Sequence, residues 1–150
     1  MPLAPLAPCP CGRLASAVAG APAGRGRVRA GAPLAFADCC GRYLDPLRGG
    51  PAPDAESLMR SRYTAFVLED GPYLLATWAP AQRPASIDFD PGTRWLGLEV
   101  RAHRSTGAGR AEVEFVARQR DAGGRAHRLH ETSRFVHAEG RWFYVDGDLR

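Results

Sequence analysis

The chain contains no lysine; all 20 of its basic residues are arginine. Together with abundant alanine, glycine and proline this follows a composition bias and carries no function of its own. No run of about 18 apolar residues is present, which excludes a transmembrane helix read from hydropathy. The opening stretch, Met1 to Cys9, lacks a basic n-region and is too rich in proline for a signal sequence. The chain therefore reads as cytoplasmic. There is no glycine-rich phosphate loop, since Gly107-Ala108-Gly109 reads as a hairpin turn. No catalytic constellation stands out either. His127 and His130 would point to opposite faces of a strand, and Ser133 beside His130 and Glu131 is separated in the same way. His103 and His137 have no ligand spacing. A basic stripe is missing as well. Residues 1–50 hold six Arg and two Asp, whereas residues 51–150 hold fourteen Arg and fourteen acids, so the net +4 sits wholly in the first third. Nucleic acid is not an expected partner.

Residues 1–53 hold nine of the thirteen prolines and all four cysteines. The stretch Ala15 to Ala35 is a run of Ala, Gly, Pro and Arg with little apolar bulk, expected to be a mobile loop in which Arg25, Arg27 and Arg29 are solvated. It separates Cys9-Pro10-Cys11-Gly12 from Cys39-Cys40-Gly41. Two close cysteine pairs in a chain without a secretory signal point to metal rather than to a disulfide. Thiolates are soft ligands, and a tetrahedral all-sulfur site suits zinc. Gly12 and Gly41 let the backbone turn around the ion. The spacing is tighter than in common zinc fingers and also admits four reduced thiols without metal.

The rest of the chain is organised around a helix from Asp54, a break at Gly71-Pro72, and a second short helix ending near Trp78. Asp54 is placed to cap the first, with Glu56 in its first turn. Ala55, Leu58, Met59, Tyr63 and Phe66 fall on one face, and Arg62 falls in the middle of it. A guanidinium there needs a partner, because an unpaired buried charge is very costly. Residues 93–148 then alternate as four strands, with turns at Gly107–Gly109, Asp121–Gly124 and Glu139-Gly140. Leu96, Leu98 and Val100 share one face of the first. If Glu139-Gly140 is a two-residue loop, Phe135 opposes Tyr144, His137 opposes Trp142 and Ser133 opposes Asp146. If the Asp121–Gly124 turn adds no bulge, Glu114 shares a face with Glu131. Glu114, Glu131 and Asp146 are then the expected partners of Arg62. Trp78, Trp95 and Trp142 are core aromatics or the wall of a pocket.

Cys9-Pro10-Cys11-Gly12 followed by Ala37-Asp38-Cys39-Cys40-Gly41 resembles the SEC-C motif. Leu58-Met-Arg-Ser-Arg-Tyr63, Tyr73-Leu-Leu-Ala-Thr-Trp78, Thr93-Arg-Trp95-Leu-Gly-Leu98, His130-Glu131-Thr-Ser-Arg134-Phe135 and Trp142-Phe-Tyr144-Val-Asp146-Gly147-Asp148 closely resemble the YchJ-type family of SEC-C proteins. The resemblance implies an α+β protein. Residues 1–50 would form a SEC-C-like segment that holds one structural zinc ion through Cys9, Cys11, Cys39 and Cys40. Residues 51–150 would form a nuclear-transport-factor-2-like cone, two helices on a curved antiparallel sheet. It implies no particular activity. The 27 residues between Cys11 and Cys39 exceed the usual short spacer of the motif. Two functions follow as expectations. The favoured one is a zinc-stabilised adaptor, not an enzyme, that meets a protein partner through the zinc segment. The alternative is a small-molecule binding protein or enzyme, with Arg62, Tyr63, Trp78, Glu114, Glu131, Tyr144 and Asp146 around the cavity of the cone and Glu131 or Asp146 as a candidate base.

Overall fold

A computed structural model describes residues 3–16, 30–47 and 49–150. After a single 3₁₀ turn, Phe36–Asp38, come helices α1 (Gly41–Leu44), α2 (Ala55–Val67) and α3 (Gly71–Ala76), then strands β1 (Arg94–Gly107), β2 (Arg110–Arg120), β3 (Ala126–Ala138) and β4 (Arg141–Leu149). The strands form one antiparallel sheet in the order β1-β2-β3-β4. α2 packs across β1, β2 and β4. This is the expected α+β cone. Among the described residues no helix is long and apolar enough to cross a membrane.

Both main helices begin where the side chains dictate. Asp54 Oδ1 accepts from the Ser57 amide at 2.7 Å, and Asp70 Oδ1 accepts from the Tyr73 amide at 3.1 Å. Each carboxylate satisfies an amide that the first turn leaves free. The helices are tied together by Ser61 Oγ, 2.7 Å from Tyr73 Oη. The buried side of α2 carries Ala55, Leu58, Met59, Arg62 and Tyr63 as its spacing indicates, and it also buries Ser57, Ser61, Thr64 and Ala65. A helix whose opposite side is buried as well has something packed on both faces; the second layer is the cysteine segment.

Several features of the sheet depart from simple alternation. Between Trp95 and Gly97, β1 shifts register against β2, which leaves Leu96 as the extra residue. Trp95 and Leu98 then both reach the core cluster while Leu96 is exposed, so Leu96 does not share the face of Leu98 and Val100. The β2–β3 connection holds five residues, because Arg120 pairs with Ala126. Asp121 Oδ1 accepts from the amides of Gly123 and Arg125, a local network that stabilises the longer loop. Glu131 consequently faces Phe115, and Glu114 faces Thr132 on the other side of the sheet. The β3–β4 turn is the two-residue loop expected, with positive φ at Glu139 (53°) and Gly140 (78°). It pairs Phe135 with Tyr144 and His137 with Trp142. A bulge at Val145 then sets Asp146 against Arg134 and Gly147 against Ser133, so Ser133 does not oppose Asp146.

The concave face that results is contributed by Val113, Phe115 and Ala117 of β2 and by Leu129, Glu131, Ser133 and Phe135 of β3. Phe135 and Val113 of this face, with Leu58 of α2 and Leu74 of α3, are among the fully buried side chains. Residues 17–29, with Arg25, Arg27 and Arg29, lie outside the described residues. The flanks of that stretch are ordered rather than loose. Ala15 N donates to Ala32 O at 2.8 Å, Leu34 N to Arg13 O at 3.0 Å and Cys9 N to Leu34 O at 2.9 Å, a short antiparallel ladder that brings the two cysteine pairs together.

Candidate metal centre and the cavity under α2

That ladder delivers Cys9 and Cys11 from one side, while the 3₁₀ turn and α1 deliver Cys39 and Cys40 from the other. The four sulfur atoms all lie within 4.8 Å of one another, and all four residues are buried. Cys11 Sγ and Cys39 Sγ are 3.5 Å apart. A tetrahedral zinc site, with Zn–S of about 2.3 Å, holds its sulfurs about 3.8 Å apart, so the donor set fits one such ion without rearrangement of the chain. Four thiols in this volume cannot all ionise without a cation between them. The hydrogen bond with Cys11 holds Cys9 far below the usual thiol range, and that with Cys39 lowers Cys11 to about 7. The same contacts with Cys11 push Cys39 and Cys40 far above it. A divalent ion resolves the conflict, because it favours the thiolate at every position. Gly41 stands where a Cβ would lie 2.7 Å from Phe36 O, so the tight approach of α1 to the 3₁₀ turn requires glycine.

The cluster is pressed against α2. Cys9 Sγ lies 3.8 Å from Thr64 Oγ1. Arg60 Nη1 donates to Cys11 O at 3.0 Å and stands 4.0 Å from Cys11 Sγ. Glu56 binds Arg60 Nε at 2.9 Å and Arg13 Nη2 at 3.3 Å, while Arg13 Nη1 donates to Ser57 Oγ at 2.9 Å. Burial works against the Arg60 charge, but Glu56 and Cys11 together keep its pKa raised. Helical spacing puts Arg60 off the apolar stripe of α2. Its role follows from the second packed layer, which helical periodicity alone does not reveal.

On the other side of α2 a cavity of about 280 Å³ opens between helix and sheet. Five of the seven expected residues line it: Arg62, Tyr63, Trp78, Glu131 and Tyr144. Trp95, Phe66, Phe115 and Ser133 join them. Glu114 and Asp146 do not. Glu114 sits on the outer face, where Oε2 is 2.7 Å from His130 Nε2, and Asp146 pairs there with Arg134 at 2.6 Å. The five-residue turn removes the first and the Val145 bulge the second. Asp146 is therefore no candidate base for this cavity.

Arg62 points inward, 6% exposed, as its place on the stripe requires. Its partners are not the expected acids. Nη1 donates to Leu74 O and to Thr77 Oγ1, both at 2.7 Å, at the C-terminal end of α3, where unpaired carbonyls attract a cation. Its guanidinium carbon lies 4.6 Å from the Tyr144 ring centre and 5.3 Å from that of Trp78. Burial lowers its pKa to about 10, so it stays charged at neutral pH. Glu131 Oε1 accepts from Tyr144 Oη and Ser133 Oγ, both at 3.2 Å. That carboxylate lies over Gly147; a Cβ there would collide with it. Burial, and then the Glu131 charge, push the Tyr144 hydroxyl out of the usual phenol range. Burial likewise raises Tyr63 to about 12.

The comparisons with known proteins agree with this architecture. The family model for the middle, NTF2-like domain of YchJ matches residues 54–147. A UPF0225 protein of Polaromonas sp. (strain JS666) is 64% identical over 148 residues, which is 99% of this chain and 97% of that protein. One from Xanthomonas campestris pv. campestris is 46% identical, covering 97% of each. A crystal structure of a SEC-C motif containing protein from Psychrobacter arcticus matches with a TM-score of 0.71 at 32% identity, over 97% of this chain and 84% of that one. The solution structure of a SEC-C motif containing protein from Rhodopseudomonas palustris matches with a TM-score of 0.68 at 37% identity, over 79% of this chain and 94% of that one. A cysteine segment docked on an NTF2-like cone, with relatives that share both, makes the chain a member of the YchJ-type family of SEC-C motif proteins.

Proposed function

We propose that the chain is a small-molecule binding protein, with the ligand seated in the cavity between α2 and the sheet and a structural zinc ion at the four cysteines. The observation that carries this reading is Arg62: a guanidinium nine-tenths buried, on the wall of a mostly apolar cavity rich in aromatic rings, with no carboxylate within 4.0 Å of it among the described residues. A cation kept in that position without an ion-pair partner is costly unless a ligand repays it. Four cysteine ligands leave a zinc ion no open position, so the metal supports the fold and takes no part in binding. Cysteine ligands must stay reduced, which supports a cytoplasmic protein. Native mass spectrometry of the chain purified from cells tests the reading. The expected result is a bound small molecule that is lost in Ala117→Leu, a change that fills the cavity. Protein of bare mass, together with unchanged cavity resonances across a metabolite library, contradicts it.

The adaptor reading has its own support. Leu6, Leu14 and Leu47, 75%, 55% and 93% exposed, stand on the cysteine segment. A protein partner that covers them would be recovered by the wild type and lost by Cys39→Ser/Cys40→Ser. Equal recovery by both would remove this reading.

A further inference from the structure

The inference rests on the cavity reading and names the ligand class. The wall is mostly apolar, and among its lining residues Arg62 and Glu131 carry opposite charges with no ion pair between them within 4.0 Å. At Arg62, Nη1 is engaged by Leu74 O and Thr77 Oγ1. Among the described residues Nε and Nη2 have no protein partner, and no buried side-chain nitrogen or oxygen is left without one. Those N–H groups therefore reach open space, and the cavity is what Arg62 lines. At Glu131, Oε1 is engaged by Ser133 and Tyr144, and Oε2 is free. Tyr144 stands between the poles. Its ring lies 4.6 Å from the guanidinium carbon, and its hydroxyl donates to the carboxylate at 3.2 Å. The same contacts hold both charged groups in place before any ligand arrives, which lowers the ordering cost of binding.

A ligand with a single charge would gain at one pole and lose at the other. A neutral apolar ligand would strip water from both and repay neither. A zwitterion meets both. Its carboxylate takes the Nε and Nη2 donors of Arg62, and its ammonium takes Oε2 of Glu131. The remaining wall, with the rings of Phe66, Trp95 and Phe115 and the side chain of Leu129, then covers an apolar substituent. The volume of about 280 Å³ corresponds to roughly nine water molecules, the scale of one amino acid rather than of a nucleotide or a lipid. We propose that the cavity binds a small apolar zwitterion, of the class of a free α-amino acid with an aromatic or branched side chain.

The test is a titration of the full-length protein followed by amide and side-chain NMR, with L-phenylalanine and L-leucine as probes. Two analogues each lack one charge: 3-phenylpropanoate has no ammonium and phenethylamine has no carboxylate. The expected result is saturable shifts at Trp95, Phe115 and Leu129 with the amino acids, and binding at least about tenfold weaker for both analogues. Glu131→Gln should erase the preference for L-phenylalanine over 3-phenylpropanoate, and Arg62→Met the preference over phenethylamine. Either analogue binding as tightly as L-phenylalanine overturns the zwitterion class and leaves the cavity reading standing. Failure of all four compounds to move any cavity resonance overturns the class directly; a small molecule still carried by the purified protein would then preserve the cavity reading alone. The wild-type comparison is decisive even where a variant folds poorly.

Discussion

Arg62 is buried under α2 and is held by hydrogen bonds to the end of α3 rather than by an ion pair. Its inward direction follows from helical spacing. The partner was not legible, because the identity of the facing residues depends on one extra residue in a turn and one in a strand. Carboxylates expected beneath it, Glu114 and Asp146, lie on the outer face. Its actual acceptors, Leu74 O and Thr77 Oγ1, belong to α3 and carry no sequence signature. These acceptors set the energetics of the site. Breaking a buried ion pair costs ~3–5 kcal/mol. Arg62→Met breaks no such pair; it leaves the Leu74 carbonyl short of a donor and removes a charge that burial already disfavours. The expected loss is about 1–3 kcal/mol, the cost of an unmade buried hydrogen bond. Urea unfolding reads it. A loss well above that range would mean that Arg62 and Glu131 act as a structural pair.

At the scale of the element, α2 is the part on which everything else is mounted. Met59, Arg62, Tyr63 and Phe66 face the cavity, while Arg60 and Thr64 meet the cysteine cluster. The apolar stripe and the Asp54 cap were readable from the sequence, because they are local: a period of 3.6 and a carboxylate beside free amides. The cluster side was not readable, since it is made of small and polar residues whose burial depends on a segment distant in the chain. Arg60 is the clearest case. It bonds the Cys11 carbonyl at 3.0 Å, and with a divalent ion bound its guanidinium would offset part of the negative charge of four thiolates. Outer partners of this kind typically contribute about 10–100-fold in metal affinity. Arg60→Met should therefore release zinc to a chromophoric chelator at least about tenfold faster than wild type, and Arg60→Lys should fall between them. Glu56→Gln, which removes the ion pairs with Arg60 at 2.9 Å and Arg13 at 3.3 Å but leaves the Arg60 bond to the Cys11 carbonyl, should have the smaller effect. Equal release rates in all four proteins would show that Arg60 does not support the centre. In the sheet, the same contrast recurs. The Glu139-Gly140 turn was legible from its residue types, whereas the bulges at Leu96 and Val145 and the five-residue turn at Asp121–Arg125 were not, because tertiary packing selects them.

Across the whole molecule, the cysteines belong to the same buried cluster as Leu58, Met59, Tyr63, Phe115 and Phe135. The segment before residue 51 is thus joined to the cone through α2, and the cone cavity is the other face of that joint. The cysteine spacing points to the four cysteines as one set, and the structure brings them together. What spacing does not reveal is that they sit inside the common core, which would couple metal occupancy to the packing of α2. Binding free energy at such a site becomes folding free energy, because the unfolded chain holds no preformed cluster. The most direct measurement is metal analysis of the full-length chain purified without chelator, followed by thermal unfolding before and after the metal is removed. One zinc ion per chain is expected, with a melting temperature that falls by many degrees on removal and recovers when zinc is restored. Four freely titrating thiols, no zinc, and a melting temperature indifferent to the metal would contradict this expectation.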